Sequence, residues 1–382
     1  MTTKIGFFGY DAVANNLKTL EEVAKSRGYE TVLFPPQIRG SAKNRIHEMY
    51  DCTQVVVNLS SFTTKEELEP VDLLLKHDSQ KKIVVWEDLP RSALRPKARD
   101  YPVGNEGKKF PEAVAAVIAA QAFVIPELYA FGYQRVEVFV PPHWGRLYQE
   151  MKEAEENREA LRQLLFKKRI GQEPEPVSEE DVIVYVSGSK TPLLVNHAIA
   201  AAIQAGKNAF GIDLVFGFGR HPGEKPERPE DEEFFKYAFE KRAEMFRDPN
   251  LSMLEAPKEL NDTKKIAISD FVILNGGPNS SIIAAYCRKA ETIYYWDAHG
   301  RKALIDQGVP GGKWFVAEPA MQGAWFIDGT AGDRGAQQME CAFHFLSTQA
   351  GKLARRALQE KHFPFPDTWD TASRIIQFLE GL

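Results

Sequence analysis

Short apolar runs with almost no polar alternation constrain this chain more than any other feature. Residues 4–8 (KIGFF), 54–59 (QVVVNL), 82–86 (KIVVW), 182–186 (VIVYV), 271–274 (FVIL) and 292–296 (TIYYW) each have the length of a strand. A strand with one wet face alternates apolar and polar residues, whereas a strand covered on both faces is apolar throughout. Between the runs lie helical patterns, such as residues 13–27 with Leu17, Leu20 and Val23 on one face and Gly28 as the stop. Strand–helix–strand repetition of this kind predicts an α/β chain with doubly wound parallel sheets.

The pattern runs twice. In the first half, strands are also expected at 31–34, 122–125 and 136–140, with a helix at 111–119. A charged helix follows at 146–168, and residues 171–180 (GQEPEPVSEE), with two prolines among acids, read as a linker. The alternation then restarts with a helix opened by Pro192, a strand at 212–216, a helix at 282–288, a long helix at 335–360 and helical spacing over 368–379. The expected division is an N-terminal domain over 1–170, a linker over 171–180, a C-terminal domain over 181–365 and a closing helix over 366–382. A chain of 382 residues is long enough for two such cores.

Composition excludes several classes. Hydrophobic residues are 43% and charged residues 26% of the chain, near the globular average and far from disordered or fibrous sequences. A formal net charge of −5 disfavours a general nucleic-acid coat or a membrane-surface binder. Three separated cysteines, Cys52, Cys287 and Cys341, argue against a disulfide framework and fit a reducing compartment. The longest apolar stretch, residues 113–125, is too short to span a bilayer, and no signal peptide is evident, so a cytoplasmic location is expected.

Open parallel sheets bind ligands at the carboxyl ends of their strands. Four such loops in the second half carry candidate chemistry. Ser187, Gly188, Ser189 and Lys190 lie between a strand and a helix, where backbone N–H groups, a helix start and a lysine suit an anion; the Walker A spacing is absent. Arg220 and His221 follow the strand at 212–216 and offer donors to a phosphate. Gly276 and Gly277, followed by Asn279, Ser280 and Ser281 at a helix start, form a second anion cradle. Asp297, after TIYYW, suits a sugar hydroxyl.

In the first half, residues 6–16 lack a G-x-G-x-x-G pattern, which counts against NAD. Asp11 sits just past the first strand as a candidate general base, with Glu87 and Asp88 as rival carboxylates. His143 follows the last strand. Arg91, Arg95, Lys97, Arg99, Lys108 and Lys109 stand against only Asp100 and Glu106, a local excess of four positive charges that suits an anionic acceptor.

This organisation resembles the GT-B class of glycosyltransferases, two Rossmann-like domains facing a cleft. Residues 220–223 (RHPG) are similar to a basic-His-Pro loop of its bacterial cell-wall and capsule branch. Ser269-Asp270 with residues 276–281 (GGPNSS) resembles that branch's donor-phosphate stretch. The resemblance implies a nucleotide-sugar donor, UDP-linked, on the C-terminal domain, an acceptor on the N-terminal domain, and no cofactor or active-site metal. It also implies a terminal helix packed back on the N-terminal domain. The implied activity is sugar transfer to an acceptor hydroxyl: a small sugar, a lipid-linked sugar or a polymer, with bases of phage-type DNA as a minority acceptor. A nucleotide-sugar 2-epimerase and a non-catalytic nucleotide- or glycan-binding protein on the same scaffold are the alternatives.

Overall fold

The fold is described from a computed structural model. It describes residues 4–9, 14–34, 41–59, 65–87, 91–94, 96–189, 191–211, 214–220, 224–226, 229–249, 251–275, 278–298, 301–302, 305, 323–329, 334–365 and 370–382. The chain divides into two compact units, one of Met1–Gly145, Ile305–Val316 and Pro366–Leu382, the other of Arg146–Leu304 and Ala317–Phe365.

In the first unit, β1 (Lys4–Phe8), α1 (Ala14–Ser26), β2 (Glu30–Leu33), β3 (Gln54–Asn58), α2 (Lys65–His77), β4 (Lys82–Trp86), β5 (Ala116–Ala119), α3 (Ile125–Phe131) and β6 (Val136–Val138) follow in order. Their strands form one parallel sheet in the order β2-β1-β3-β4-β5-β6. Successive side chains of a strand point to opposite faces. Accordingly Val55, Val57, Ile83 and Val85 enter one core with Leu68 and Leu74 of α2. Val56, Val84 and Trp86 enter another with Leu17 and Leu20 of α1. Both faces are buried, which is why these strands show no polar alternation.

The second unit begins within α4 (Pro142–Glu156) and continues through α5 (Arg158–Arg162), β7 (Phe166–Lys168), β8 (Glu175–Pro176), β9 (Ile183–Ser187), α6 (Pro192–Phe210) and β10 (Val215–Gly219). Next come α7 (Glu232–Met245), β11 (Ser252–Glu255), α8 (Asp262–Ile268), β12 (Phe271–Leu274), α9 (Pro278–Tyr286), β13 (Glu291–Trp296), β14 (Trp325–Asp328), α10 (Arg334–Ser347) and α11 (Gln349–His362). The sheet order is β8-β7-β11-β10-β9-β12-β13-β14, parallel from β11 to β14, with β7 and β8 antiparallel at one edge.

The last helix, α12 (Thr371–Glu380), returns to the first unit. Ala372, Ile375, Ile376 and Leu379 join the core that holds Leu17, Leu20 and Ala24 of α1. Full burial of an isoleucine or leucine is worth about 1.5–3 kcal/mol. The Gln54 side chain donates to the Leu379 carbonyl at 2.6 Å, and Arg27 pairs with Glu380 at 3.2 Å.

Several elements differ from the sequence pattern. The helix expected at 111–119 is a four-residue turn of helix, Phe110–Ala113, followed by β5, and the strand expected at 122–125 is a 3₁₀ turn leading into α3. The run AVIA satisfies either period, and burial between β4 and β6 settles it as strand. The charged stretch 146–168 is two helices and β7. Residues 171–180, expected as linker, lie within the second unit, where Glu175 and Pro176 pair with β7. The strand placed at 212–216 runs Val215–Gly219, so Gly217 and Gly219 are sheet residues whose missing side chains make room for Tyr185. The helix expected at 335–360 breaks at Thr348, whose hydroxyl accepts from the Gly351 amide at 3.0 Å and caps α11.

Candidate functional site

In the second unit β9 is central, with β10 and β11 to one side and β12, β13 and β14 to the other. The strand order reverses between β9 and β12, the position at which such sheets bind ligands. Ser187 ends β9, and Asn275 directly follows β12. The Asn275 amide donates to the Ser187 carbonyl at 2.8 Å, and the Gly188 amide donates to the Gly219 carbonyl at 2.6 Å. Parallel neighbours lie about 4.8 Å apart, so the loops after β10, β9, β12 and β13 form one rim.

Two helices start at this rim. α6 begins with Pro192, and its N-cap Thr191 makes no side-chain cap, which leaves the first-turn amides to a ligand or water. α9 begins with Pro278, three positions after Asn275. Each start carries the positive end of a helix dipole, about half a unit charge.

The first two turns of α6 are gripped from both sides. On one side stands Arg242 of α7, only 5% exposed. Its guanidinium donates to the Pro192 carbonyl at 3.2 Å and the Asn196 side chain at 2.8 Å, and pairs with the buried Glu224 at 2.6 Å. On the other side His197 Nδ1 lies 2.8 Å from Asp297 Oδ2; the Asp297 side chain is 4% exposed and the His197 side chain 48%. An aspartate on Nδ1 assigns the proton to that nitrogen and makes Nε2 the lone-pair nitrogen of the neutral ring. Burial, then Asp297, push the neighbouring Tyr295 phenol up to about 12, so it stays protonated and a donor.

Two buried oxygens at this edge have no hydrogen-bond donor among the described residues: Asn275 Oδ1 and Glu224 Oε2. Leaving a buried acceptor unmade costs about 1–3 kcal/mol. A ligand that offers hydroxyl or N–H donors as well as negative charge meets both demands of the rim.

Of the donor-side candidates, Ser187 and Gly188 sit at the switch point, and the Ser189 hydroxyl accepts from the Thr191 amide at 3.3 Å. Arg220 donates to the Glu224 carbonyl at 3.3 Å and lies over the Phe239 ring at 4.9 Å. Lys190, His221, Gly276 and Gly277 lie outside the described residues. Asn279 and Ser280 occupy the first turn of α9, and their side chains are not among those described. Ser281 is fully buried and its hydroxyl is bonded to that of Tyr294, so it serves the core rather than the rim. Asp270 lies at the opposite, amino end of β12, where Arg158 at 2.7 Å, Arg162 at 3.1 Å and the Ile183 amide at 2.9 Å engage it. It anchors α5 to the sheet.

In the first unit, Glu87 at the carboxyl end of β4 is fully buried and accepts from the Ala93 amide at 3.1 Å. That bond ties Ala93 to the end of β4, and Arg91, two residues before Ala93, has φ +69°, a conformation rare outside glycine. Arg91 forms a fork with both oxygens of Glu127 on α3, at 2.9 Å each, and lies over Phe123. Lys108 pairs with Glu106 and Lys109 with Asp100, while Lys97 and Arg99 are exposed. Three cations of the basic run thus already have acid partners. His143 stands in the first turn of α4 beside buried Trp144. Asp11, Asp88 and Arg95 lie outside the described residues.

Sequence reasoning missed His197, Asn275, Glu224 and Arg242 as members of the rim. The adjacent polar pair Asn196-His197 in the otherwise apolar first three turns of the helix was the available signal for the first. Asn275 and Glu224 each stand one residue outside the stretches singled out, 276–281 and 220–223, beside the glycines and basic residues that mark them.

No family model and no curated protein sequence matches the chain. Solved structures do. A UDP-GlcNAc 2-epimerase from Methanocaldococcus jannaschii is similar over 100% of both chains, with 12% identity and a TM-score of 0.57. The UDP co-structure of MnaA from S. aureus is similar over 100% of this chain and 96% of that one, with 11% identity and a TM-score of 0.56. A kitacinnamycin glycotransferase is similar over 100% of this chain and 99% of that one, with 11% identity and a TM-score of 0.51. The chain shares with these proteins the GT-B-type fold of two Rossmann-like domains.

Proposed function

We propose that this chain is a nucleotide-sugar-dependent glycosyltransferase whose second unit holds the donor diphosphate at the β9–β12 switch point. The observation that carries this reading is the pair of helix starts, α6 and α9, flanking Asn275, whose buried Oδ1 has no donor among the described residues. In the proposal the helix starts, with Ser189, Lys190, His221 and Ser280, stabilise the charge that grows on the departing nucleotide. Asn275 and Glu224 accept from hydroxyl or N–H groups of the donor, and Asp297 positions His197 beside it. The acceptor hydroxyl needs a base, for which Asp11, Glu87 and Asp88 are the carboxylates proposed. UDP-, GDP-, CDP- and TDP-sugars incubated with a panel of small-sugar, lipid-linked, polymeric and DNA acceptors test the reading. Nucleotide release that depends on an acceptor supports transfer, and nucleotide sugars that neither bind nor react with any acceptor refute it.

One observation favours a second reading, a nucleotide-sugar 2-epimerase. That chemistry needs paired carboxylates and a histidine near the sugar, and the His197–Asp297 pair supplies the histidine and one carboxylate. Proton NMR of a UDP-sugar with enzyme and no acceptor separates the two: a new sugar epimer supports epimerisation, and an unchanged sugar excludes it.

A further inference from the structure

A cationic cavity lies away from the carboxyl rim. It has a volume of about 390 Å³ and is lined by Arg288, Lys289, Arg356, Glu360, Pro364 and Phe365. Arg288 and Lys289 belong to the turn before β13, at the amino edge of the sheet, and Arg356 and Glu360 to α11. Three cations against one carboxylate give the lining a net charge of +2.

The neighbouring arginine shows what a satisfied partner set looks like here. Arg355, one residue earlier on α11, is 2% exposed, pairs with Glu291 at 2.6 Å and caps the Cys287 and Arg288 carbonyls. Among the described residues Arg356 has no ion pair, and its buried Nε has no acceptor. The Arg288 guanidinium donates to the carbonyls of Ala285 and Phe363, at 2.8 Å and 3.0 Å, and lies 4.4 Å from the centre of the Phe365 ring. Its two backbone acceptors fix the side chain without a carboxylate on it. Burial, then the Arg355 charge, hold the Arg288 pKa below its ordinary value. A buried guanidinium N–H without an acceptor carries a cost that an oxyanion removes, and bonds between a guanidinium and an oxyanion are among the strong ones. The Pro364 and Phe365 wall gives an organic substituent an apolar seat, and the volume suits a small ligand.

We propose that this cavity binds a phosphate monoester, its phosphate on Arg356 and Arg288 and its organic part against Phe365. The cavity is separate from the donor site, because its residues lie at the other end of the sheet.

Calorimetric titration at low ionic strength with inorganic phosphate and with phenyl phosphate, on the full chain and on Arg356→Gln, tests it. Arg356 makes no hydrogen bond to lose among the described residues, so the variant should fold, as its circular dichroism and melting temperature will verify. The expected result is saturable binding, tighter for phenyl phosphate than for phosphate. Affinity should fall at least tenfold in Arg356→Gln and fall with added salt. Equal binding by the two proteins, which would place the anion at the helix starts of the carboxyl rim, overturns the proposal. So does no binding to the full chain, or no preference for the phenyl ester.

Discussion

His197 Nδ1 and Asp297 Oδ2, 100 positions apart, meet at 2.8 Å and join the second turn of α6 to the end of β13. A hydrogen bond to a charged group is worth about 1.5–3 kcal/mol. Asp297→Asn keeps the shape and removes the charge. Turnover of the nucleotide sugar should fall about 10- to 100-fold, since about 1.4 kcal/mol is a factor of ten. Steady-state kinetics on the purified variant reads the effect; unchanged kcat/KM would remove the pair from the working site.

Arg242 and Glu224 bury a charge pair whose side chains are 7% and 0% exposed. Removing one partner of such a pair costs about 3–5 kcal/mol, because the other charge stays buried alone. Arg242→Met should therefore lower urea stability by that order. The double variant Arg242→Met, Glu224→Leu should recover part of the loss. A single-variant cost below about 1 kcal/mol would show that the rim does not depend on this clamp.

Gly219 closes β10 beneath the Tyr185 hydroxyl, and any β-carbon there collides with that group. Overpacking of this kind costs about 1–3 kcal/mol. Gly219→Ala should destabilise the second unit, and adding Tyr185→Phe should relieve part of the cost in a double-mutant cycle. Additive effects of the two substitutions would contradict the contact.

The cysteines should separate by pH. Burial, then the Glu155 carboxylate, push the Cys287 thiol up to about 12, and burial pushes Cys52 up to about 11. Cys341 is exposed. At pH 8 iodoacetamide should modify Cys341 in the native protein and reach Cys52 and Cys287 only after unfolding. Unfolded thiols ionise near 8.5. Above that pH the unfolded chain releases protons that the folded chain keeps, so these two thiols contribute stability that is present below about pH 8.5 and lost as pH rises toward their folded values. Urea midpoints at pH 8 and pH 10 should fall less in Cys287→Ala than in the parent chain.

The six apolar runs were legible as strands because burial on both faces leaves no other pattern, and the helix-start loops at Ser187 and Asn275 followed from strand ends alone. Short pieces failed where period could not decide. AVIA at 116–119 fits helix or strand, and only its pairing between β4 and β6 fixes it. Trp325–Asp328 (WFID) and Ser252–Glu255 (SMLE) are as short as FVIL but carry acidic residues, so they show neither an apolar run nor a period. The site was half legible. Glycines and lysines announce an anion, but Ser281 turned inward to Tyr294, and His197 joined the rim through a partner 100 residues away. Long-range pairing of that kind leaves no local trace.

Calorimetric titration with UDP, GDP, CDP and TDP and with their sugars, on the parent chain and on Asp297→Asn, tests whether the β9–β12 rim holds a nucleotide sugar. The β9–β12 rim of the parent should take at least one of these nucleotides, with weaker binding of its sugar conjugate in the variant. Absence of binding for all four nucleotides and their sugars at low salt would contradict it.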